Sequence, residues 1–199
     1  MRRILCLMAL ALGLNQIALA DQPEPVESSL AAKTEKVSAL LAERFGVARA
    51  KADEIADAVM KSASKYSLPP SLLLAVITIE SRFREKAHGA NGATGLMQIV
   101  PSSHRQLVKG KDLTEPTTNI ETGSEILSGY VDSAGGDVEA GLRSYGGGKK
   151  YSTKVSNQAK VFEANLGETQ QASSPDAVGS QGDTSSPLTV GSPVSIDIH

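Results

Sequence analysis

Residues 68–83 read LPPSLLLAVITIESRF, an apolar run that ends on a carboxylate. Ser67 stands upstream, Pro70 is acceptable in a first helical turn, and Leu72, Leu73, Val76 and Ile77 recur at helical spacing. The run therefore predicts a helix. Glu80 lies three residues after Ile77, four after Val76 and seven after Leu73, so its carboxylate projects from the same apolar face. It also occupies the last turns, where the helix dipole is negative. Burial and dipole both disfavour the ionised form and push its pKa upward, as a general acid working near neutral pH requires. From spacing alone, a carboxylate paired with Arg82 or Arg84 fits equally well.

The next stretch, GANGATGLMQIVPSS over 89–103, places Gly89, Gly92 and Gly95 where side chains would keep a ligand from the backbone. Met97 and Gln98 then offer an adaptable apolar contact and a two-way hydrogen-bonding amide. Another helix is expected from Pro101 through Leu107. TNIETGSEILSGYV over 118–131 spaces Ile120, Gly123, Leu127, Tyr130 and Val131 three and four apart, and Asp137 can cap a short helix through Ser144. Gly146-Gly147-Gly148 breaks that helix, and residues 152–166 form a last amphipathic segment carrying Val155, Val161 and Phe162.

Upstream, SALLAERFGV from Ser38 and AKADEIADAVMKSASKYSL from Ala50 both carry helical periodicity, with Ile55, Val59 and Met60 on one stripe. They read as an added layer on the domain or as a partner-binding arm. No stretch alternates with period two. The expected fold is all-α, with many short helices and no long internal repeat.

The ends read differently. Arg2 and Arg3, the apolar run Ile4–Leu14 and Ala18-Leu19-Ala20 make residues 1–20 a cleaved export leader, too short to remain as a membrane span. Cys6, the only cysteine, lies inside that leader, so no disulfide is expected in the mature chain and no lipid anchor follows the apolar run. Without the leader's two arginines, 18 basic residues face 22 acidic ones, a net charge of −4. That balance gives nucleic acid no footing. Residues 167–199 hold seven Ser, four Gly and three Pro with no Lys, Arg or aromatic residue, the composition of a disordered tail. The expected organisation is leader 1–20, N-terminal segment and helical extension 21–66, main domain 67–166 and tail 167–199.

Four pieces, LLLAVITIESRF, GATGLMQIVPSS, NIETGSEIL and GLRSYGGG, stand in an order and at a spacing that resemble the soluble lytic transglycosylases of bacterial cell walls, whose catalytic domain is similar to goose-type lysozyme. The resemblance implies a lysozyme-like helical fold around a glycan cleft. It implies cleavage of the β-1,4 bond between N-acetylmuramic acid and N-acetylglucosamine in peptidoglycan, with Glu80 as the single acid/base and a 1,6-anhydro product. Ser81 would order the loop beside the acid and belong to the substrate site, Met97 and Gln98 would line the saccharide cleft, Tyr145 would orient the glutamate beside the substrate, and Asn119 would be structural. The family commonly has asparagine after that tyrosine, and this chain has Gly146.

The chemistry is coherent with one acid. Ordinary glycosidases need two carboxylates, one serving as nucleophile or as base for water. A sugar hydroxyl that attacks its own ring supplies the nucleophile at high effective molarity. No metal or cofactor is implied: His88 and His104 lack companions at ligand spacing. GGGKKYSTK departs from a phosphate loop, because Lys150 follows Lys149 where Ser or Thr belongs. Arg143, Lys149, Lys150, Lys154 and Lys160 read as solvated charge or as attraction to anionic wall polymer. Expected partners are peptidoglycan glycan strands, with service to a secretion, conjugation or flagellar machine open, and the chain is expected to act as a monomer in the periplasm or outside the cell. Two rivals remain: a muramidase that uses water in place of the sugar hydroxyl, and a non-catalytic wall-binding or assembly protein.

Overall fold

A computed structural model describes residues 25–167 of the chain; the expected leader, its Cys6 and all of the tail beyond Gly167 lie outside them. Six α-helices carry the described residues: α1 (Pro25–Phe45), α2 (Arg49–Lys65), α3 (Pro70–Glu80), α4 (Pro116–Ser133), α5 (Val138–Gly146) and α6 (Lys149–Gly167). Among them there is no strand, only two isolated bridges, His88 with Thr94 and Thr94 with Ile99. The all-α expectation holds. No described helix is long and apolar enough to cross a membrane.

The helix opened by LPPSLLLAVITIE is the centre of the molecule. Every residue from Ser71 to Ile77 is buried, so α3 is enclosed on all sides, where the spacing alone suggested one apolar stripe. It packs against α6 and α2; α4 lies against α2 and α5, and α1 covers α2. One apolar cluster runs from Val37 and Leu41 in α1 through Ile55, Leu73 and Ile77 to Leu142 and Phe162.

Two local expectations need correction. Ser67 does not start α3. It adopts a left-handed backbone, φ 52°, and Leu68 N–H returns to Ala63 O at 3.0 Å, so Ser67 ends α2 in the place usually held by glycine. Pro69 is the residue that caps α3, with Pro70 in its first turn. The helix expected over Pro101–Leu107 is instead a chain of turns, with bonds such as Ser103 N to Val100 O and His104 N to Pro101 O. The eight residues between Pro101 and Gly110 are too few to repay helix nucleation on their own. Leu107 and Val108 pack instead on a small second cluster of Ile99, Leu113 and Ile126.

Other local signals act as read. The Asp137 carboxylate accepts from Ala140 N–H at α5's start, and Gly147 ends that helix with φ 83°. α4 starts at Pro116, two residues before the stretch read from Thr118, and Glu115, which the sequence reading did not single out, caps it by accepting from the backbone N–H groups of Thr117 and Thr118.

Candidate active site

Glu80 is the last residue of α3 and is half-buried. No ion pair among the described residues involves it, so the pairing with Arg82 or Arg84 that spacing allowed is not made. Burial holds its carboxyl above the ordinary glutamate range, and contact with the Tyr151 hydroxyl offsets part of that rise. No other carboxylate contributes to the shift. Two phenols feel the Glu80 charge in return. Burial, then Glu80, pushes the hydroxyls of both Tyr145 and Tyr151 far up, so each stays protonated as a donor.

The two donors are used differently. Tyr145, expected to orient Glu80, donates its proton to Met97 O at 2.8 Å. Tyr151 has a buried hydroxyl with no partner at ordinary hydrogen-bond geometry, yet close enough for Glu80 to register it. Its position depends on Gly146. A Cβ there would stand 2.3 Å from the Tyr151 ring, so the ring fills the space that a side chain at 146 would take. Sequence reading passed over Tyr151 inside GGGKKYSTK; an aromatic one turn after a glycine run was its only signal.

The glycine-rich segment forms the adjoining wall, held by one amide. Asn119, 1% exposed, accepts from Met97 N–H at 2.7 Å and donates to Thr94 O at 3.0 Å and Leu113 O at 2.8 Å. Gly95, with φ 81°, must lack a side chain because a Cβ would lie 2.2 Å from the Asn119 amide nitrogen. Gln98 takes φ 51° and donates to Ala87 O at 3.1 Å and Gly95 O at 2.9 Å. It lines a groove of about 180 Å³ with His104, Tyr130 and Tyr145. His104, in the turns that follow Pro101, packs edge-on to Tyr130, 6.4 Å between ring centres.

Two expected cleft contacts are interior. Ser81 is 1% exposed and donates to Ile77 O at 3.2 Å, closing the end of α3. Met97 is fully buried, and its thioether fills the notch left by Gly123, where a Cβ would meet the sulfur at 2.6 Å. Neither has surface to offer a sugar. The structure thus brings Glu80, Tyr145 and Gln98 to one region, adds Tyr151, and withdraws the side chains of Ser81 and Met97. No group of three or more His, Cys, Asp or Glu side chains among the described residues is placed to hold a metal.

The family profile described as the transglycosylase SLT domain matches residues 57–166, more than half of the chain. The chain belongs to the transglycosylase SLT domain family. It is 32% identical over 125 residues to the membrane-bound lytic murein transglycosylase C of Yersinia enterocolitica, covering 54% of this chain and 35% of that one. It is 30% identical over 116 residues to a transglycosylase of Enterobacteria phage PRD1, covering 53% of this chain and 43% of that one. The chain therefore spans less than half the length of these relatives. An inactive variant of the lytic transglycosylase Slt from Pseudomonas aeruginosa shares the fold, with a TM-score of 0.50 and 20% identity over 60% of this chain and 25% of that one. The SLT match begins inside α2, so α1 and the first half of α2 stand upstream of it.

Proposed function

We propose that the chain is a peptidoglycan lytic transglycosylase, cleaving between N-acetylmuramic acid and N-acetylglucosamine with Glu80 as its one acid/base. The observation that carries this reading is a half-buried carboxyl at the end of α3, raised by burial above the ordinary glutamate range, in no ion pair among the described residues and bordered by two phenols. Protonated Glu80 delivers its proton to the bridging oxygen as the bond from that oxygen to the muramoyl C1 breaks. The resulting carboxylate takes the proton of the muramoyl C6 hydroxyl, whose oxygen bonds to C1. The ring closes as a 1,6-anhydro sugar, no water enters, and Glu80 ends protonated. Tyr151 suits the middle of this cycle, because a phenol donor near the carboxylate stabilises the state that must act as base. One acid suffices on this route, because the sugar's own hydroxyl replaces the water that a hydrolase activates with a second carboxylate.

The relatives' printed names support the substrate, one of them naming murein. The leader read in residues 1–20 supports work in the periplasm or outside the cell. The test is digestion of purified sacculi with product separation and mass spectrometry. Anhydro-muropeptides are expected from the unaltered chain, and Glu80→Gln should lower their yield by about a thousandfold. Products carrying only reducing muramoyl ends would overturn the transglycosylase reading in favour of a hydrolase.

A further inference from the structure

Where the end of α1 meets α3 and α6 lies a hollow of about 550 Å³, and a second of about 720 Å³ adjoins it between residues 45–51 and residues 82–88. Phe45 and Arg82 line both, so the two form one strip. Leu40, Phe45, Val47 and Val161 give it an apolar floor, and Val161 is one of the few large apolar side chains left exposed among the described residues.

The cations on this strip are not cancelled. Arg44, Arg82 and Arg84 are exposed and join no ion pair among the described residues, whereas Arg49, Lys61 and Lys65 all find carboxylates. Glu85 is the one acid lining the strip, and Lys51 takes it at 2.9 Å. Arg82 and Phe83 adopt left-handed backbones in succession, φ 53° and 62°, an uncommon arrangement for bulky residues. Phe83 thereby turns inward, 4.6 Å from the Phe45 ring, while Arg82 stays at the surface.

The strip stands apart from the acid. Thr78, which lines the first hollow, precedes Glu80 by two residues, about 200° around a helix. Along α6 the lining begins at Gln158, about 10 Å past Tyr151. Leu40, Arg44, Phe45, Val47 and Lys51 also stand upstream of the SLT match, which begins at residue 57.

We propose that this strip docks an acidic segment of a partner protein, one that carries apolar side chains between its carboxylates, on the side of α3 away from Glu80. Arginine and aromatic side chains together are enriched in protein-binding surfaces, and uncancelled charge selects a partner of opposite sign. A phosphate polymer would satisfy the guanidiniums but leave the apolar floor uncovered. A bilayer would meet the arginines alone, because Phe45 is half-buried and Phe83 buried, out of reach of a flat surface.

The experiment titrates the chain with a labelled synthetic peptide of Glu and Leu, its Leu at helical spacing, then with the same peptide carrying Gln for Glu, with polyglutamate, and with phosphatidylglycerol vesicles. Saturable binding of the Glu/Leu peptide is expected, about tenfold or more weaker for the Gln peptide, and weakened as much by the double substitution Arg44→Glu and Arg82→Glu. Digestion of sacculi should proceed unchanged with the peptide bound. No binding of the peptide, or binding indifferent to the arginines, overturns the surface; should the double variant fail to fold, Val161→Asp at an exposed position of α6 replaces it and should weaken binding about tenfold. Polyglutamate bound as tightly overturns the proposal in favour of an anion site without apolar contact, and vesicles bound as tightly in favour of a membrane surface. Peptide that blocks digestion would lie in the cleft and overturn the placement, whereas a chain that binds peptide and leaves sacculi intact counts against the glycan reading alone.

Discussion

At Glu80 two effects oppose each other: burial raises the pKa of the carboxyl, and the Tyr151 hydroxyl lowers it. Tyr151→Phe removes the lowering contact, so the pKa of Glu80 rises further. The high-pH limb of the kcat profile should then move to higher pH, while kcat falls about tenfold for loss of a donor to the carboxylate. A profile of unchanged shape would place Tyr151 outside the acid's surroundings. Stability carries the same sign. Because the folded carboxyl holds its proton to higher pH than the unfolded one, the native state loses stability as pH rises from the ordinary glutamate value through the raised one. Glu80→Gln should therefore raise Tm above that window and leave it unchanged below, as thermal melts at both ends would show. Glu80 was legible in the sequence because its place on an apolar helix follows from spacing. Tyr151 was not, since its role depends on the ring entering space that Gly146 leaves empty, a contact made only after α5 and α6 pack.

Between α3 and α4 a segment with almost no regular structure has to be held still, and Asn119 does this from α4 through three hydrogen bonds, two of them buried. Asn119→Ala leaves Met97 N–H and the Leu113 carbonyl unpaired and takes from the Thr94 carbonyl one of its two donors, Ile99 N–H remaining, at about 3 kcal/mol or more. Tm should fall by about 10 °C, with wall turnover lost at temperatures where the helices persist by circular dichroism. Asn119→Asp keeps an acceptor for Met97 N–H but turns oxygen toward oxygen at the two carbonyls, so it should not restore the loss. If Asn119→Ala melted within a degree or two of the unaltered chain, the clamp would be dispensable. Helices α2 to α6 could be read from periodicity, caps and breakers because those signals are local. The turns over 101–111 could not, because Leu107 and Val108 take their places from a cluster assembled by Ile99, Leu113 and Ile126. The interior placement of Met97 was hidden for a like reason, as its pocket is a notch at Gly123 on a helix more than twenty residues away.

Across the whole molecule the question is whether α1, which precedes the SLT match, is an added layer or part of the body. Its sequence was read as an added layer or as a partner-binding arm, because an amphipathic helix does not disclose what covers its apolar face. In the structure Val37 and Leu41 are fully buried in the main cluster. The Phe45 ring lies 4.6 Å from Phe83 and 6.3 Å from Phe162, so α1 reaches the end of α3 that carries Glu80. Burying a large apolar side chain contributes about 1.5–3 kcal/mol, so these three together contribute about 5 kcal/mol or more, comparable with the whole stability of a marginal domain. The surface ion pair between the two helices contributes far less: Arg49 of α2 meets Glu35 of α1 in solvent, and Asp53 within its own helix, where an exposed pair is worth about 1 kcal/mol at most. Deleting residues 25–47 should therefore abolish a cooperative thermal transition and expose apolar surface to dye, whereas Glu35→Gln should shift Tm by only about 1–2 °C. If the deleted chain melted cooperatively near the parent Tm and still digested sacculi, α1 would be a detachable layer, and the body would be the matched region alone.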